Sequence, residues 1–345
     1  MNISRLDYLL LFLATFAIVG ALTPYMRSVA IKHQVMDSPT MSHKTHKDPV
    51  PYLGGVAIIV GISIVPLLAL TVRRATGHNF MLALSVIAPA LILGMIGLWD
   101  DVRNLPALPR FIAQSLAGIF TAFLLVLSHT VGTPTGSKIV DAAITIIWIV
   151  GISNSINFFD NLDGGAAGTV AVTSLGLIVI GYHNHQYFIT SFAAVTAGAM
   201  IGFLLWNKSP ARIYMGDAGA LFLGVLVASL VVRLHPQVLG KVNSFAIAIL
   251  LLGTPILDTS VAVISRLIRG ASPFQGARDH LSHRLIRAGV TRPIAAVLLW
   301  ILSAFFALCA ILISMTSAST GHFLIVVSLT VWVGLFVFFI RTADA

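Results

Sequence analysis

The stretch Ile146-Ile147-Trp148-Ile149-Val150-Gly151-Ile152-Ser153-Asn154-Ser155-Ile156-Asn157-Phe158-Phe159-Asp160-Asn161-Leu162-Asp163-Gly164-Gly165 changes character halfway along. Its first part carries no charge, which suits the hydrocarbon core of a bilayer. Its second part sets Asn154, Asn157, Asp160 and Asp163 at successive i+3 steps, one slowly turning face if the helix runs on. Four polar groups at the end of an apolar span are costly unless they line a wet site. The pattern predicts a membrane helix that delivers oxygen donors to a polar cleft at one membrane border.

The rest of the chain repeats the apolar half of that stretch. Of 345 residues, 57% are apolar and only 10% charged, and the mean hydropathy is +0.96. A soluble core of this length needs no such excess, so lipid is the expected solvent for most side chains. Helices satisfy their own backbone hydrogen bonds, and roughly 17 to 25 apolar residues cross a ~30 Å hydrocarbon layer. Eleven stretches fit: 6–24, 52–72, 80–98, 108–127, 138–156, 167–183, 187–206, 218–234, 243–265, 293–314 and 320–340. The expected fold is all-α and polytopic, with about eleven transmembrane helices in one integral domain, 1–345. A signal-peptide reading of 9–21 is disfavoured, because only Arg5 precedes it and its removal improves no charge balance. Cys309 is the only cysteine, which excludes an intrachain disulfide and a thiolate metal site.

Basic residues orient the chain. With the N-terminus outside, Arg5, Arg73, Arg74, Lys138, Arg233 and Lys241 lie outside, and the other fifteen Lys and Arg lie in the cytoplasm or at its border. The positive-inside rule then selects N-out, C-in. The net charge of +9 follows this asymmetry. No basic, aromatic-interleaved soluble segment exists, so nucleic acid is not an expected partner. The longer loops fall on the cytoplasmic side, and an active site is expected there.

All twelve acidic residues are Asp, and nine fall on that side: Asp37, Asp48, Asp100, Asp101, Asp160, Asp163, Asp217, Asp279 and Asp344. Asp100 and Asp101 directly follow the apolar Gly97-Leu98-Trp99, where adjacent like charges repel unless a cation or proton separates them. Carboxylate and carboxamide oxygens such as those of the 154–163 face suit a hard cation like Mg²⁺. Asp217, in Tyr214-Met215-Gly216-Asp217-Ala218-Gly219-Ala220, is placed as an N-cap, and its small neighbours would let phosphate approach the helix N-terminus. His280, His283 and Arg284 stand at one-turn spacing and suit a phosphate clamp better than zinc, since no third close ligand is evident. Asp258 follows Pro255 inside the ninth stretch and is expected to pair with a basic or polar group near a kink.

Taken together, these residues resemble the polyprenyl-phosphate N-acetylhexosamine-1-phosphate transferases of glycosyl transferase family 4. The likeness spans nearly the whole chain through motifs in the same order: His43-Lys44-Thr45-His46 with Pro49 to Gly55; Asp100-Asp101 with Arg110 and Gln114; Asn154 to Gly168; Met215-Gly216-Asp217; Pro255 to Thr259; and Pro273-Phe274 to Leu285. The resemblance implies transfer of a sugar 1-phosphate from a UDP-N-acetylhexosamine to undecaprenyl phosphate in the bacterial cytoplasmic membrane. It also implies dependence on Mg²⁺, with Mn²⁺ as a substitute, and is compatible with a homodimer. By the same resemblance, Asp217 and Asn157 hold the metal, and Asp100 and Asp101 handle and deprotonate the lipid phosphate. Asn154, Asp160 and Asp163 match nucleotide positions; His280, His283 and Arg284 match the loop gripping diphosphate and sugar; Lys44 and His46 match a basic loop near the phosphates.

The chain departs from the common pattern at His43, where Arg is frequent, and at Arg110, where Lys is frequent. The run Asp279-His280-Leu281-Ser282-His283-Arg284 replaces the triple histidine of the branch that uses UDP-N-acetylmuramoyl-pentapeptide. An N-acetylglucosamine donor is therefore expected, with the muramoyl-pentapeptide as the alternative. A CDP-alcohol phosphotransferase shares the Asp-Gly of Asp163-Gly164 but lacks the following Ala-Arg and downstream aspartates. A transporter would need acidic groups near the bilayer midplane, and only Asp258 approaches that.

Overall fold

The computed structural model describes residues 3–37, 49–103, 107–127, 135–238, 240–272 and 278–342. The first helix, α1 (Arg5–Lys32), starts on a reciprocal cap, in which Ser4 Oγ accepts from the Asp7 N–H and the Asp7 carboxylate accepts from the Ser4 N–H. A short antiparallel ladder follows, β1 (Met36–Asp37) with β2 (Val50–Pro51). Next come α2 (Gly54–Val72), α3 (Gly77–Arg103), α4 (Ala107–Leu127), α5 (Lys138–Phe159), α6 (Gly165–His183), α7 (Tyr187–Asn207) and α8 (Gly216–Val232). The chain ends with α9 (Lys241–Leu251), α10 (Gly253–Ile268), α11 (Leu281–Arg287), α12 (Arg292–Met315) and α13 (Ala318–Arg341).

Every apolar stretch marked in the sequence is helical, but the ninth is broken. Helices α9 and α10 meet at 73°. Leu252 alone separates them, and Pro255 sits in the first turn of α10, where a missing N–H removes no intrahelical bond. Among the described residues, eight helices are long and apolar enough to cross a membrane, and the bent pair adds a ninth if it counts as one span. The segments Phe111–Val126 and Gly216–Val232 are apolar but shorter. The protein is an all-α, multi-pass membrane protein.

Its packing is organised around α8. That helix is buried along nearly its whole length and packs against α2, α3 and α5. Helices α1 and α6 flank α7, and α12 covers α6. On the outside, Leu10, Leu13, Phe120, Ile147, Leu308 and Phe323 are exposed, as a surface bathed in lipid requires. Between lipid-solvated helices, close approach has to replace the hydrophobic driving force. Gly97 of α3 provides it, since a Cβ there would lie 2.3 Å from the Asp217 carbonyl oxygen. Gly97→Val should push α3 off α8, at about 1–3 kcal/mol or more. Thermal unfolding in detergent should show the lower Tm, with turnover lost alongside it.

Candidate active site

The N-terminus of α8 faces the C-terminal ends of α3 and α5. Gly216 has φ +66°, a left-handed conformation that a side chain disfavours, and an added Cβ would lie 2.5 Å from Asp101 Oδ2. The turn aims the first amides of α8 at α3. Asp101 Oδ1 accepts from the Asp217 N–H at 2.8 Å and its Oδ2 accepts from the Ala218 N–H at 3.0 Å. Asp101 thus caps α8 from another helix. The sequence expectation that Asp217 caps α8 is corrected, because Met215 is the N-cap residue, no side chain of that segment bonds the cap, and Asp217 is helical. The Asp217 side chain turns to α5 instead, where Asn157 Nδ2 donates to its Oδ1 at 2.9 Å.

Helix α5 stops at Phe159, so the predicted continuous face of four polar residues is also corrected. Asp160 is the C-cap and Asp163 lies in the following turn, which Gly164 completes at φ +71°. Asn154 Nδ2 donates to the Val150 carbonyl one turn back, 2.8 Å away. Asp163 ties two loops together, accepting from the Ala211 N–H at 3.1 Å and from the Tyr214 hydroxyl at 3.4 Å. Asn207, which sequence reasoning missed, braces the same corner by accepting from the Gly164 N–H and donating to the Ile213 carbonyl. Its only sequence signal is a carboxamide at the end of an apolar span.

Charge accumulates here. Burial first, then the Asp217 and Asp163 carboxylates, push the Asp160 carboxyl up to about 7. Tyr52, beside the β1–β2 ladder, is pushed up by burial and by Asp37, Asp101 and Asp217, and it hydrogen-bonds Asp37. Asp37 and Tyr52 are further additions by the structure. Asp100 is buried on the same helix end as Asp101.

The α11 segment closes the other side. The Phe158 and His280 rings lie 6.4 Å apart, edge to face, and Ser282 Oγ donates to Asn161 Oδ1. Asp258, fully buried near the start of α10, bonds His280 Nδ1 at 2.7 Å and accepts from the Leu281 N–H at 2.7 Å, so the expected partner near the kink is His280. Asp279 is held below the usual carboxylate range: burial opposes this, but hydrogen bonds from Arg266 at 3.1 Å and Arg269 at 2.5 Å outweigh it. Arg284, expected at a phosphate clamp, points its guanidinium into the protein. Its guanidinium donates to the Asp279 carbonyl, the Phe339 carbonyl and Ser265 Oγ, and the residue is only 3% exposed. His280 and His283 stand with ring centroids 5.9 Å apart. Lys44 and His46 lie outside the described residues, as do Asp48 and the Pro273-Phe274 pair.

The structure therefore brings Asp100, Asp101, Asn157, Asp160 and Asp217 to one end of the bundle and sets His280 beside Phe158, Ser282 on Asn161 and His283 next to His280. Among the described residues, no three carboxylates, imidazoles or thiolates form a ready-made metal cage. The donor set nevertheless fits Mg²⁺, which is commonly held by one or two carboxylates plus substrate phosphates and water. Asp160's carboxyl is raised first by burial and then by the Asp217 and Asp163 carboxylates, and a cation would offset that second part.

Membrane-border carboxylates facing a histidine-bearing segment define an integral enzyme that handles charged groups at the bilayer edge. The profile of glycosyl transferase family 4 matches residues 83–235. The chain is 30% identical to the probable undecaprenyl-phosphate N-acetylglucosaminyl 1-phosphate transferase of Bacillus subtilis over 335 residues, 95% of this chain and 87% of the relative. It is 29% identical to a decaprenyl-phosphate N-acetylglucosaminephosphotransferase of Mycolicibacterium smegmatis, covering 81% of this chain and 76% of that protein. It is 26% identical to a phospho-N-acetylmuramoyl-pentapeptide-transferase of Anoxybacillus flavithermus, covering 88% and 95%. The chain belongs to the polyprenyl-phosphate N-acetylhexosamine-1-phosphate transferases of glycosyl transferase family 4 and is a phosphoglycosyl transferase.

The His283 imidazole supplies a pH test. Burial first, then His280, lowers it to about 4. The folded protein holds the ring neutral while the unfolded chain protonates near 6.5, so stability is full above about pH 6.5 and falls as pH drops toward 4. The loss is on the order of 3 kcal/mol. His283→Gln should remove this part of the acid-side decline, read as a Tm gap from wild type that changes between pH 7 and pH 4 and stays constant above pH 7.

Proposed function

We propose that the protein transfers N-acetylglucosamine 1-phosphate from UDP-N-acetylglucosamine to undecaprenyl phosphate, releasing UMP and starting a lipid-linked cell-wall or surface glycan. The observation that carries this reading is the convergence of Asp101, Asn157 and Asp217 through direct hydrogen bonds at one end of the bundle. The site would face the cytoplasm, with eleven crossings, the N-terminus outside and the C-terminus inside a bacterial cytoplasmic membrane. The lipid tail of the acceptor stays in the bilayer while the nucleotide arrives from water, so a cleft at the border suits both.

In the reaction, a lipid phosphate oxygen attacks the sugar-bearing phosphorus of the donor. A new phosphoanhydride bond forms as the bond to the UMP phosphate oxygen breaks, so the exchange is nearly isoergic. Several negative charges must meet, and positioning together with charge compensation is the main requirement. Asp217 and Asn157 would hold Mg²⁺, or Mn²⁺ in its place, which offsets charge on the reacting phosphates when bound. Asp101 has both carboxylate oxygens on α8 amides and is read as a positioning group. The lipid phosphate proton, where present, is assigned to Asp100. Asn154, Asp160 and Asp163 border the nucleotide side, and His283 offers a neutral ring for hydrogen bonding to the sugar or diphosphate. Lys44 and His46, which fall in sequence between β1 and β2, are assigned to the phosphates on the family resemblance.

Muramoyl-pentapeptide is the second reading, favoured by relatives such as that of Anoxybacillus flavithermus. The Asp279 to Arg284 run favours N-acetylglucosamine. A panel of UDP-sugars with undecaprenyl phosphate and Mg²⁺, followed by UMP release and lipid-linked product, tests the choice. Asp217→Asn is expected to lower turnover by at least ~10³-fold with its Tm retained, whereas Asp344→Asn leaves turnover unchanged. Substantial turnover in Asp217→Asn would remove that residue from the metal site, and product formed only from the muramoyl-pentapeptide donor would overturn the sugar assignment.

A further inference from the structure

At the end of the bundle away from the carboxylates, helices α1, α2, α3 and α7 enclose a cavity of about 850 Å³, within the range of sites that hold small molecules. Most of its wall is apolar, with Leu11, Val65, Leu82 and Phe192 among the lining residues. Leu10, Leu68 and Val72 also line it and are 53%, 56% and 81% exposed, so the wall continues onto the lipid-facing surface. The polar residues include Arg233, just past the end of α8, and Ser191 of α7.

Arg233 is the unusual member. It is 5% exposed, and only its Nη2 has a hydrogen bond, to Ser85 Oγ at 2.9 Å. Among the described residues, Nε and Nη1 have no partner, and neither does the buried Ser191 Oγ. Guanidinium groups stay protonated in proteins, so Arg233 is a buried cation. The carboxylate of Asp7, in the same cavity, is already engaged by Arg73 and by the Ser4 N–H. The Phe188 ring, 5.7 Å from the guanidinium carbon, and the C-terminal carbonyls of α8 offset part of the charge but place no acceptor on Nε or Nη1. A buried cation with open donors calls for an anion from outside the chain.

We propose that this cavity is a binding site for an anionic phospholipid of the leaflet opposite the catalytic end, with its phosphodiester on Arg233 and Ser191 and its acyl chains along the apolar wall. Guanidinium forks match phosphate oxygens geometrically. The apolar wall and its continuity with the lipid-facing surface separate a phospholipid from a free anion, which would leave that wall unfilled. The site is remote from the reacting phosphates and acts as a lipid anchor of the helix bundle, independent of the donor sugar.

The test is a thermal-unfolding titration of the full-length protein in neutral detergent with dihexanoyl-phosphatidylglycerol, dihexanoyl-phosphatidylcholine or inorganic phosphate. Wild type should gain at least about 2 °C in Tm with the phosphatidylglycerol, and clearly less with the other two. Arg233→Gln should lose that gain, and without lipid should be at least as stable as wild type because the uncompensated cation is gone. Ala14→Trp fills the cavity from an exposed wall position and should also abolish the gain with Arg233 intact. Asp217→Asn, at the other end, should keep it. Equal gains with phosphatidylcholine would overturn the charge recognition, and an equal gain with inorganic phosphate would overturn the lipid. A gain that survives Ala14→Trp would overturn the site, and this variant decides the matter if Arg233→Gln fails to fold.

Discussion

The carboxylate of Asp101 on the second and third amides of α8, those of Asp217 and Ala218, is the contact on which the candidate site depends. A helix N-terminus leaves four N–H groups without intrahelical partners and carries partial positive charge. One aspartate from a different helix answers both features and locks α3 to α8. That contact sets the direction of Asp217, which then meets Asn157 of α5. Three helices distant in sequence are thereby held in register by one carboxylate and one carboxamide. The close approach at Gly97 and the left-handed turn at Gly216 are the steric conditions for it.

The same arrangement gives Asp101 two backbone donors but leaves it beside two other carboxylates, Asp100 and Asp217. Negative charge extends from there to Asp217 and Asp160, whose carboxyl is raised first by burial and then by the Asp217 and Asp163 carboxylates. A site that holds excess negative charge before substrate binds can bind a hard cation together with phosphates. Around it, the α11 segment is fixed by internal pairs: Asp258 with His280, and Asp279 with Arg266 and Arg269. Arg284 belongs to this buttress, since each of its acceptors lies within the protein.

The two ends of the bundle show opposite imbalances. Carboxylates gather around α8's first turn, while an arginine with no carboxylate partner among the described residues follows its last. Because α8 is buried over nearly its whole length, it connects these two polar ends through an apolar core. The cation at the helix C-terminus and the Asp101 carboxylate at the N-terminus both complement the helix dipole.

The amino-acid sequence by itself determined the membrane solvent, the helical class and the location of nearly every helix, because uninterrupted apolar length is a local property. It also singled out Asp100, Asp101, Asn157, Asp160 and Asp217, since carboxylates and carboxamides at the ends of apolar spans are costly without a purpose. Only the tertiary structure decided their individual duties. Asp101 rather than Asp217 caps α8, Asp163 pins two loops, and Arg284 turns inward, because each role is set by partners that are distant in sequence, up to 117 positions in the case of Ala218 and Asp101. The cavity holding Arg233 belongs to the same class, whereas a kink beside Pro255 was already legible in the chain and only its size, 73°, came from packing. A chain pattern records which groups are polar and where a helix can end, but which donor meets which acceptor depends on how the helices pack.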